Sequence, residues 1–162
     1  MNPQNPWIDL LWKLVTAVAT TSVAVYVARI SKRQLLTNQE KLRLDLYNRR
    51  FEIYTRVLDF YQAIVIWEGS PEQIALQYPF LKAYREAKFL FPKDSGVFDY
   101  IGQFHKHAFT IVHFGKLKFL AREAPEEFLK HSRQRENSLS WLLNSMLELE
   151  ERLAPFLNFH EI

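Results

Sequence analysis

The sequence predicts an all-α protein with a single N-terminal transmembrane helix that continues into a long cytoplasmic helix packed in a four- to five-helix antiparallel bundle. Three observations support this class. Residues 14–28 are 15 consecutive uncharged residues. Neither Gly nor Pro occurs between Pro6 and Gly69, so nothing interrupts a helix there. No alternating apolar and polar pattern bounded by hairpin turns occurs, so we expect no strands.

The composition excludes several classes of protein. The chain of 162 residues contains no Cys, which excludes a disulfide scaffold and any thiolate metal site. It has only 4 Gly and no Ser-, Gln- or Pro-rich tract, which argues against a flexible linker. The 4 Trp, 7 Tyr and 13 Phe favour a packed interior.

The positive charge is concentrated in one short block. Residues 1–28 are balanced, residues 29–50 carry seven basic and two acidic side chains for a net charge of +5, and the remainder sums to −2. A basic block beside an uncharged segment is typical of the cytoplasmic flank of a membrane span. The charge therefore indicates membrane orientation, and we expect a lipid bilayer rather than duplex DNA as the partner.

The uncharged segment is the candidate membrane span. At about 1.5 Å per residue it covers roughly 22 Å, so apolar residues from Trp7 onward are needed to cross a core of about 30 Å. Aromatic and basic side chains suited to the two interfaces flank it: Trp7, Trp12, Lys13, Arg29, Lys32 and Arg33. Because most basic residues follow the span, the N-terminus should lie outside and residues 29–162 in the cytoplasm. The alternatives are a buried helix of a soluble protein and a signal peptide, although nothing basic precedes Lys13.

The predicted span has two unlike faces. Small or hydroxylated residues fall within an arc of about 140°, namely Thr16, Ala17, Thr20, Thr21, Ala24 and Ala28. Small side chains let helix backbones approach closely, and hydroxyls can bond across helices or line water. We therefore expect a helix-packing face or a pore lining in a homo-oligomer, with a tetramer among the expected assemblies. The alternative is an anchor of ordinary Ala and Thr content.

Residues 7–68 are expected to form one helix, entered by an Asn5 cap with Pro6 at the first helical position. We divide the chain into a transmembrane helix over 1–30, a basic juxtamembrane helix over 31–50 and a cytoplasmic bundle over 51–162. The later part of the first helix repeats apolar residues at alternating spacings of four and three, which predicts a face that packs against the bundle. That row is Tyr47, Phe51, Tyr54, Leu58, Tyr61 and Val65, and a flanking row widens the face with Leu42, Leu46, Ile53, Val57, Phe60 and Ile64.

Capping residues and prolines predict the bounds of the remaining helices. Ser70 and Gln73 form a predicted capping box around Pro71. A short helix follows, restarting at Pro79 and running to about Phe91. After a turn over 92–96, a long amphipathic helix is expected over 97–122. Pro125 then opens a last helix to about Leu153, with a tail from Pro155.

No catalytic or metal motif is present, and we predict neither enzyme activity nor a cofactor. His105 and His107 lie two residues apart, hence about 200° apart on a helix, so they cannot share a metal. His105 shares an apolar row with Ile101, Ala108 and Val112, which favours a hydrogen-bonded packing role. We found no Gly-rich phosphate loop and no nucleophile motif in context.

Two basic groups are candidate ligand contacts, comprising Arg43, Arg49 and Arg50, and Lys116, Lys118 and Arg122. The second group is interleaved with Phe114 and Phe119. Because bases can stack on aromatic rings while cations hold phosphates, a nucleotide or oligonucleotide is one candidate ligand. The sequence favours a solvated surface with Phe turned inward for the second group, and membrane orientation with attraction to anionic headgroups for the first.

The segment EKLRLDLYNRRFEIYTRVLDFY (40–61), placed after a single apolar span, resembles small bacterial membrane proteins of mostly unknown function. The Phe-Leu-Phe-Pro at 89–92 and the Ala-Pro-Phe-Leu-Asn-Phe at 154–159 strengthen the resemblance. Proteins of this layout are similar to membrane effectors of nucleotide-signalled anti-phage defence, including the Hailong type and the type III CRISPR membrane effectors. The resemblance implies a homo-oligomer of the bacterial inner membrane whose cytoplasmic domain senses an oligonucleotide and opens a pore. It assigns no binding residue.

Two functions therefore remain open at the level of sequence. The first is a ligand-gated oligomeric membrane effector or ion channel. The second is a membrane-anchored module that recruits another protein and transports nothing.

Overall fold

The computed structural model describes residues 6–117 and 119–158, and it is all-α, as predicted. No strand occurs among these residues. The elements are α1 (Pro6–Val65), α2 (Pro71–Ala75), α3 (Gln77–Leu90), a 3₁₀ turn (Lys93–Ser95), α4 (Val97–Lys116), α5 (Leu120–Glu123) and α6 (Pro125–Leu157).

The chain divides into two units, Met1–Leu44 and Asp45–Ile162, and α1 contributes to both. In the first unit every side chain that the structure describes is exposed. An 18-residue window of this helix has a mean hydropathy of 1.6, and none of it is buried. By length and composition, α1 could therefore cross a membrane. The predicted start at Pro6 is confirmed, whereas the Asn5 cap lies outside the described residues.

The second unit is an antiparallel bundle of four main helices: residues 45–65 of α1, α3, α4 and α6. The ring of Phe60 stacks on that of Phe80 with centroids 4.5 Å apart, which joins α1 to α3. Tyr54 of α1 donates a hydrogen bond of 2.8 Å to Glu150 of α6. The core includes these fully buried side chains: Ile53, Val57, Phe60, Ile64, Phe80, Val97, Ile101, Phe104, Ile111, Leu142, Leu149 and Leu153.

The connection from α1 to α2 contains the predicted capping box. Ser70 Oγ accepts from the Gln73 backbone N–H at 3.3 Å, and Gln73 Oε1 accepts from the Ser70 N–H at 3.2 Å. Gln73 Oε1 also accepts from the N–H groups of Glu68 and Gly69, both at 2.9 Å. Gly69 has φ +83°, in the left-handed region that favours glycine. These contacts end α1 at Val65, three residues before the predicted end.

The boundaries of α3 and α6 differ from prediction because both helices tolerate a proline. α3 begins at Gln77, which places Pro79 in the first turn, where its missing N–H breaks no intrahelical bond. α6 continues past Pro155 to Leu157. Phe156 packs edge-on against Phe91 with ring centroids 5.5 Å apart, and this contact holds the last turn on the bundle.

The predicted helix over 97–122 is instead two helices. α4 ends at Lys116, and the N–H of Leu117 bonds the Phe114 carbonyl at 3.0 Å, three residues back. Gly115 lies in this last turn with nothing within 4 Å of the position that a Cβ would occupy. Gly is a poor helix former, which favours an end of the helix at this turn.

Candidate functional site

The hydroxyl groups of the apolar segment bond back to their own helix. Thr16 Oγ1 donates to the Trp12 carbonyl at 2.8 Å, and Thr20 Oγ1 to the Thr16 carbonyl at 2.9 Å. Thr21 Oγ1 donates to the Ala17 carbonyl at 2.8 Å. The hydroxyl hydrogens are thus satisfied within one helix, as is common for Thr in apolar helices. The oxygen lone pairs remain able to accept from water or a neighbouring helix.

The predicted small-residue face is a shallow apolar surface. Thr20, Ala24 and Ala28 line part of it, together with Ala19, Val23 and Val27, which lie outside the predicted face. The other predicted members, Thr16, Ala17 and Thr21, are exposed on the same helix. No side chain of this surface is longer than Val, so a second helix can approach its backbone closely.

The predicted interface residues lie at both ends of the apolar segment. Trp7 and Trp12 are 73% and 66% exposed. Lys13 is also exposed, as are Arg29, Lys32 and Arg33 at the other end. Trp12 and Arg29 are 17 positions apart, which is about 25 Å along a helix. If the helix crossed a bilayer, this length would let the Arg29 side chain extend to one headgroup region while the Trp rings lay in the other.

Arg50 is half-buried against the ends of α3 and α6. Its Nε donates to the Leu90 carbonyl at 3.0 Å. Its guanidinium lies over the rings of Phe91 and Phe156, at 5.6 and 5.2 Å from their centroids. Burial lowers the pKa of this guanidinium. The residue thereby joins α1 to the ends of α3 and α6, an arrangement that its sequence position beside Arg49 does not reveal.

The other two arginines of the first candidate group are exposed. Arg49 Nε lies 3.4 Å from Asp45 Oδ2, one helical turn away. Glu52 pairs with Arg56 at the same spacing, also 3.4 Å apart, so both predicted ion pairs are present. Arg43 is exposed in the first unit.

The second candidate group is only partly described. Lys116 at the end of α4 and Arg122 in α5 are exposed, whereas Lys118 lies outside the described residues. Phe114 is half-buried, with its ring 5.4 Å from that of Phe128 and 5.6 Å below the Arg135 guanidinium. Phe119 is 55% exposed. One Phe of this group thus packs inward, and the other faces solvent.

Next to this group, α4 and α6 form an open groove of about 460 Å³, within the usual range for ligand pockets. Among the described residues no carboxylate lines it, and the lining consists of His105, Lys106, Phe109, Thr110, His113, Phe114, Leu117, His131 and Gln134. The groove could not be predicted from the sequence, because His131 lies on a different helix from the other histidines that line it. The one available signal was the spacing of Phe109 and His113, four residues apart on α4.

The histidines of α4 pack against aromatic rings. The ring centroid of His105 lies 5.5 Å from that of Tyr84 and 5.9 Å from that of Phe80, and burial lowers its pKa. His107 stacks on Trp141 at 4.4 Å, and its Nδ1 lies 3.2 Å from Ser138 Oγ. Burial, and secondarily the charge of Lys106, lowers the pKa of His107. Within the described ranges, no cluster of three or more His, Asp or Glu could hold a metal ion.

No protein-family model matches the sequence, nor does any curated protein or solved structure.

Proposed function

We propose that the protein is a homo-oligomeric effector of the bacterial inner membrane whose cytoplasmic bundle receives a signal and opens a pore, as the resemblance to anti-phage membrane effectors implies. One observation carries the proposal. The same uninterrupted helix, α1, contains the apolar segment and a buried helix of the bundle. In this proposal the N-terminus lies outside and the bundle lies in the cytoplasm, in keeping with the basic residues after the span.

The packing of α1 supports transmission of a signal from the bundle to the apolar segment. Its bundle half buries Ile53, Val57, Phe60 and Ile64, each at most 1% exposed. Close-packed cores shift between discrete arrangements rather than deforming continuously. A ligand that favours one arrangement of α3, α4 and α6 therefore favours one position of α1. The helix passes this change to the membrane segment, where neighbouring copies rotate or separate.

The groove between α4 and α6 supports a nucleotide or oligonucleotide as the signal. Its exposed Phe109 ring offers a surface on which a base can stack, and Lys106 offers a cation for phosphate. Lys116 and Arg122 are exposed nearby along the chain and add positive charge. None of the lining residues that the structure describes carries a carboxylate that would repel phosphate.

Ion flux through liposomes that contain the purified full chain tests the proposal. The triple change Thr16→Leu, Thr20→Leu and Thr21→Leu fills the small-residue face and removes its hydroxyls. We expect flux, and toxicity on expression, to fall at least tenfold while membrane insertion is retained. The matched control is Val15→Leu, Val18→Leu and Val25→Leu, which enlarges the opposite face. Unchanged flux in the threonine variant would rule out a pore lined by the small-residue face.

A second candidate is a membrane-anchored interaction module without transport activity. The back-bonded hydroxyls favour it, because Thr16, Thr20 and Thr21 satisfy their donors without a second helix. Replacement of residues 7–30 by an unrelated single span separates the two. If the protein is an interaction module, it should keep its biological activity after this exchange. If it is a pore-forming effector, it should lose that activity.

A further inference from the structure

The groove between α4 and α6 shares a side chain with the interface between α4 and α3. His105 lines the groove and is half-buried. Its ring centroid lies 5.9 Å from that of Phe80 and 5.5 Å from that of Tyr84, both on α3, with interplanar angles of 26° and 19°. A ligand that turns the His105 ring therefore also changes its stacking on α3.

From His105 the ring contacts continue to α1. Phe80 stacks on Phe60 of α1 with centroids 4.5 Å apart and an interplanar angle of 25°. Phe80 and Phe60 are each 1% exposed, so neighbouring side chains enclose both rings. In a close-packed core, such a ring can shift only if the groups beside it shift as well. Two successive ring contacts thus join the lining of the groove to the part of α1 that lies in the bundle.

The other two histidines that line the groove have different surroundings. His113 is exposed on α4. His131 lies on α6, where its Nδ1 is 3.2 Å from Oε1 of Gln134 on the same helix. Among the ring contacts of the described residues, His105 is the groove histidine that reaches α3.

Phe109 brings a ligand next to His105. Its side chain is 46% exposed, and its ring centroid is 5.1 Å from that of His105. The two rings are inclined at 56°, so a flat ligand cannot stack on both unless one of them turns. Lys106, the next residue along α4, offers a cation for an anionic group of the same ligand.

Given the groove as the signal site of the proposed function, on which this inference rests, we propose that His105 couples the groove to α1. A planar aromatic anion that stacks on Phe109 and pairs with Lys106 turns the His105 ring. Phe80 follows this ring, and Phe60 then shifts α1 relative to α6. Such coupling is reciprocal, so the shifted arrangement of α1 also strengthens binding in the groove.

A distance measurement between two spin labels tests the coupling. The chain has no Cys, so Gln62→Cys on α1 and Asn144→Cys on α6, both at exposed positions, carry the labels in the full chain. Labelled chains are diluted with unlabelled ones in nanodiscs, so that each distance lies within one copy. The probe is pyrenetetrasulfonate, a planar aromatic anion whose fluorescence polarisation reports its binding. We expect saturating probe to shift the mean distance by about 1–2 Å, the size of helix shifts at packed interfaces.

Three variants of the labelled chain separate coupling from binding. His105→Ala removes the ring, so the shift should disappear although the probe still binds. His105→Phe keeps a ring against Phe80 and should restore the shift. His113→Ala, the matched control in the same groove, should keep the full shift at saturating probe. A shift that persists in His105→Ala, or that is lost in His105→Phe, would overturn the coupling through this ring.

A probe that does not bind the wild type, or that binds without a change in distance, would also overturn the coupling. Ion flux is measured separately in liposomes, so the two proposals fail separately. A shift that depends on His105, in a protein that conducts no ions, supports the coupling and removes the pore. Ion flux in a protein whose distance does not change leaves the pore and removes the coupling.

Discussion

Among single residues, Arg50 has the most specific role in the bundle. It combines a hydrogen bond of 3.0 Å to the Leu90 carbonyl with contacts to two aromatic faces. Arg50→Lys keeps the charge but loses the planar group that makes these contacts together. We expect the free energy of unfolding to fall by about 1–2 kcal/mol, measured by urea titration of the full chain in detergent.

Arg49→Lys is the matched control for this substitution. Its exposed ion pair with Asp45 is worth about 0–0.5 kcal/mol, so the change should scarcely alter the urea midpoint. Equal effects of the two substitutions would mean that Arg50 is a surface charge like its neighbour.

His105 and His107 should make the stability of the bundle depend on pH. Both have folded-state pKa values below the ordinary 6.5 because of burial. Between the lowered values and about 6.5 the unfolded chain binds more protons, so the free energy of unfolding rises with pH and falls on acidification. We expect urea midpoints to decrease from about pH 7.5 to 5.5 more steeply in the wild type than in the double variant His105→Gln, His107→Gln.

The control for the pH measurement is His113→Gln, whose side chain is exposed. This variant should keep the wild-type slope. If the double variant also keeps it, protonation of the two packed histidines does not limit stability in acid.

At the level of elements, Gln73 determines where α1 stops. Its Nε2 donates to the carbonyls of Ile66 and Ala63, at 2.9 and 3.3 Å, while its Oε1 accepts three backbone N–H groups. Gln73→Ala leaves these groups without side-chain partners, and we expect a loss of about 1–3 kcal/mol in the free energy of unfolding. Gln103→Ala, at an exposed position of α4, is the control for urea titration. A loss no larger than that of the control would contradict this role.

Helix ends that depend on local chemistry, such as a cap or a proline, could be predicted from the sequence. Helix ends that depend on tertiary packing could not. Pro6, the Ser70–Gln73 capping box and Pro125 begin helices where expected. The end of α6 was missed because Phe156 holds the chain helical past Pro155 by contact with Phe91, which is distant in sequence. The early end of α4 was missed because the apolar pattern continues through Gly115.

The same limit applies to the candidate sites. The two faces of the apolar segment could be predicted, because they depend only on helical spacing within α1. The sequence could not show that Arg50 and Arg49 have different roles, because the groups that Arg50 contacts belong to α3 and α6. The groove could not be predicted either, because His131 lines the same surface as His105 and His113 only when α4 packs against α6.

For the whole molecule, the central claim is that copies of this chain associate through α1 in the membrane. In the proposed homo-oligomer, a neighbouring copy would cover the small-residue face, whose described side chains are all exposed.

The most direct test is the oligomeric state of the full chain, extracted in native lipid nanodiscs and weighed by mass photometry or native mass spectrometry. Bound nucleotide is analysed in the same sample. The account predicts a single homo-oligomer of two or more copies. A wild-type monomer without bound nucleotide would contradict it and favour the anchored interaction module.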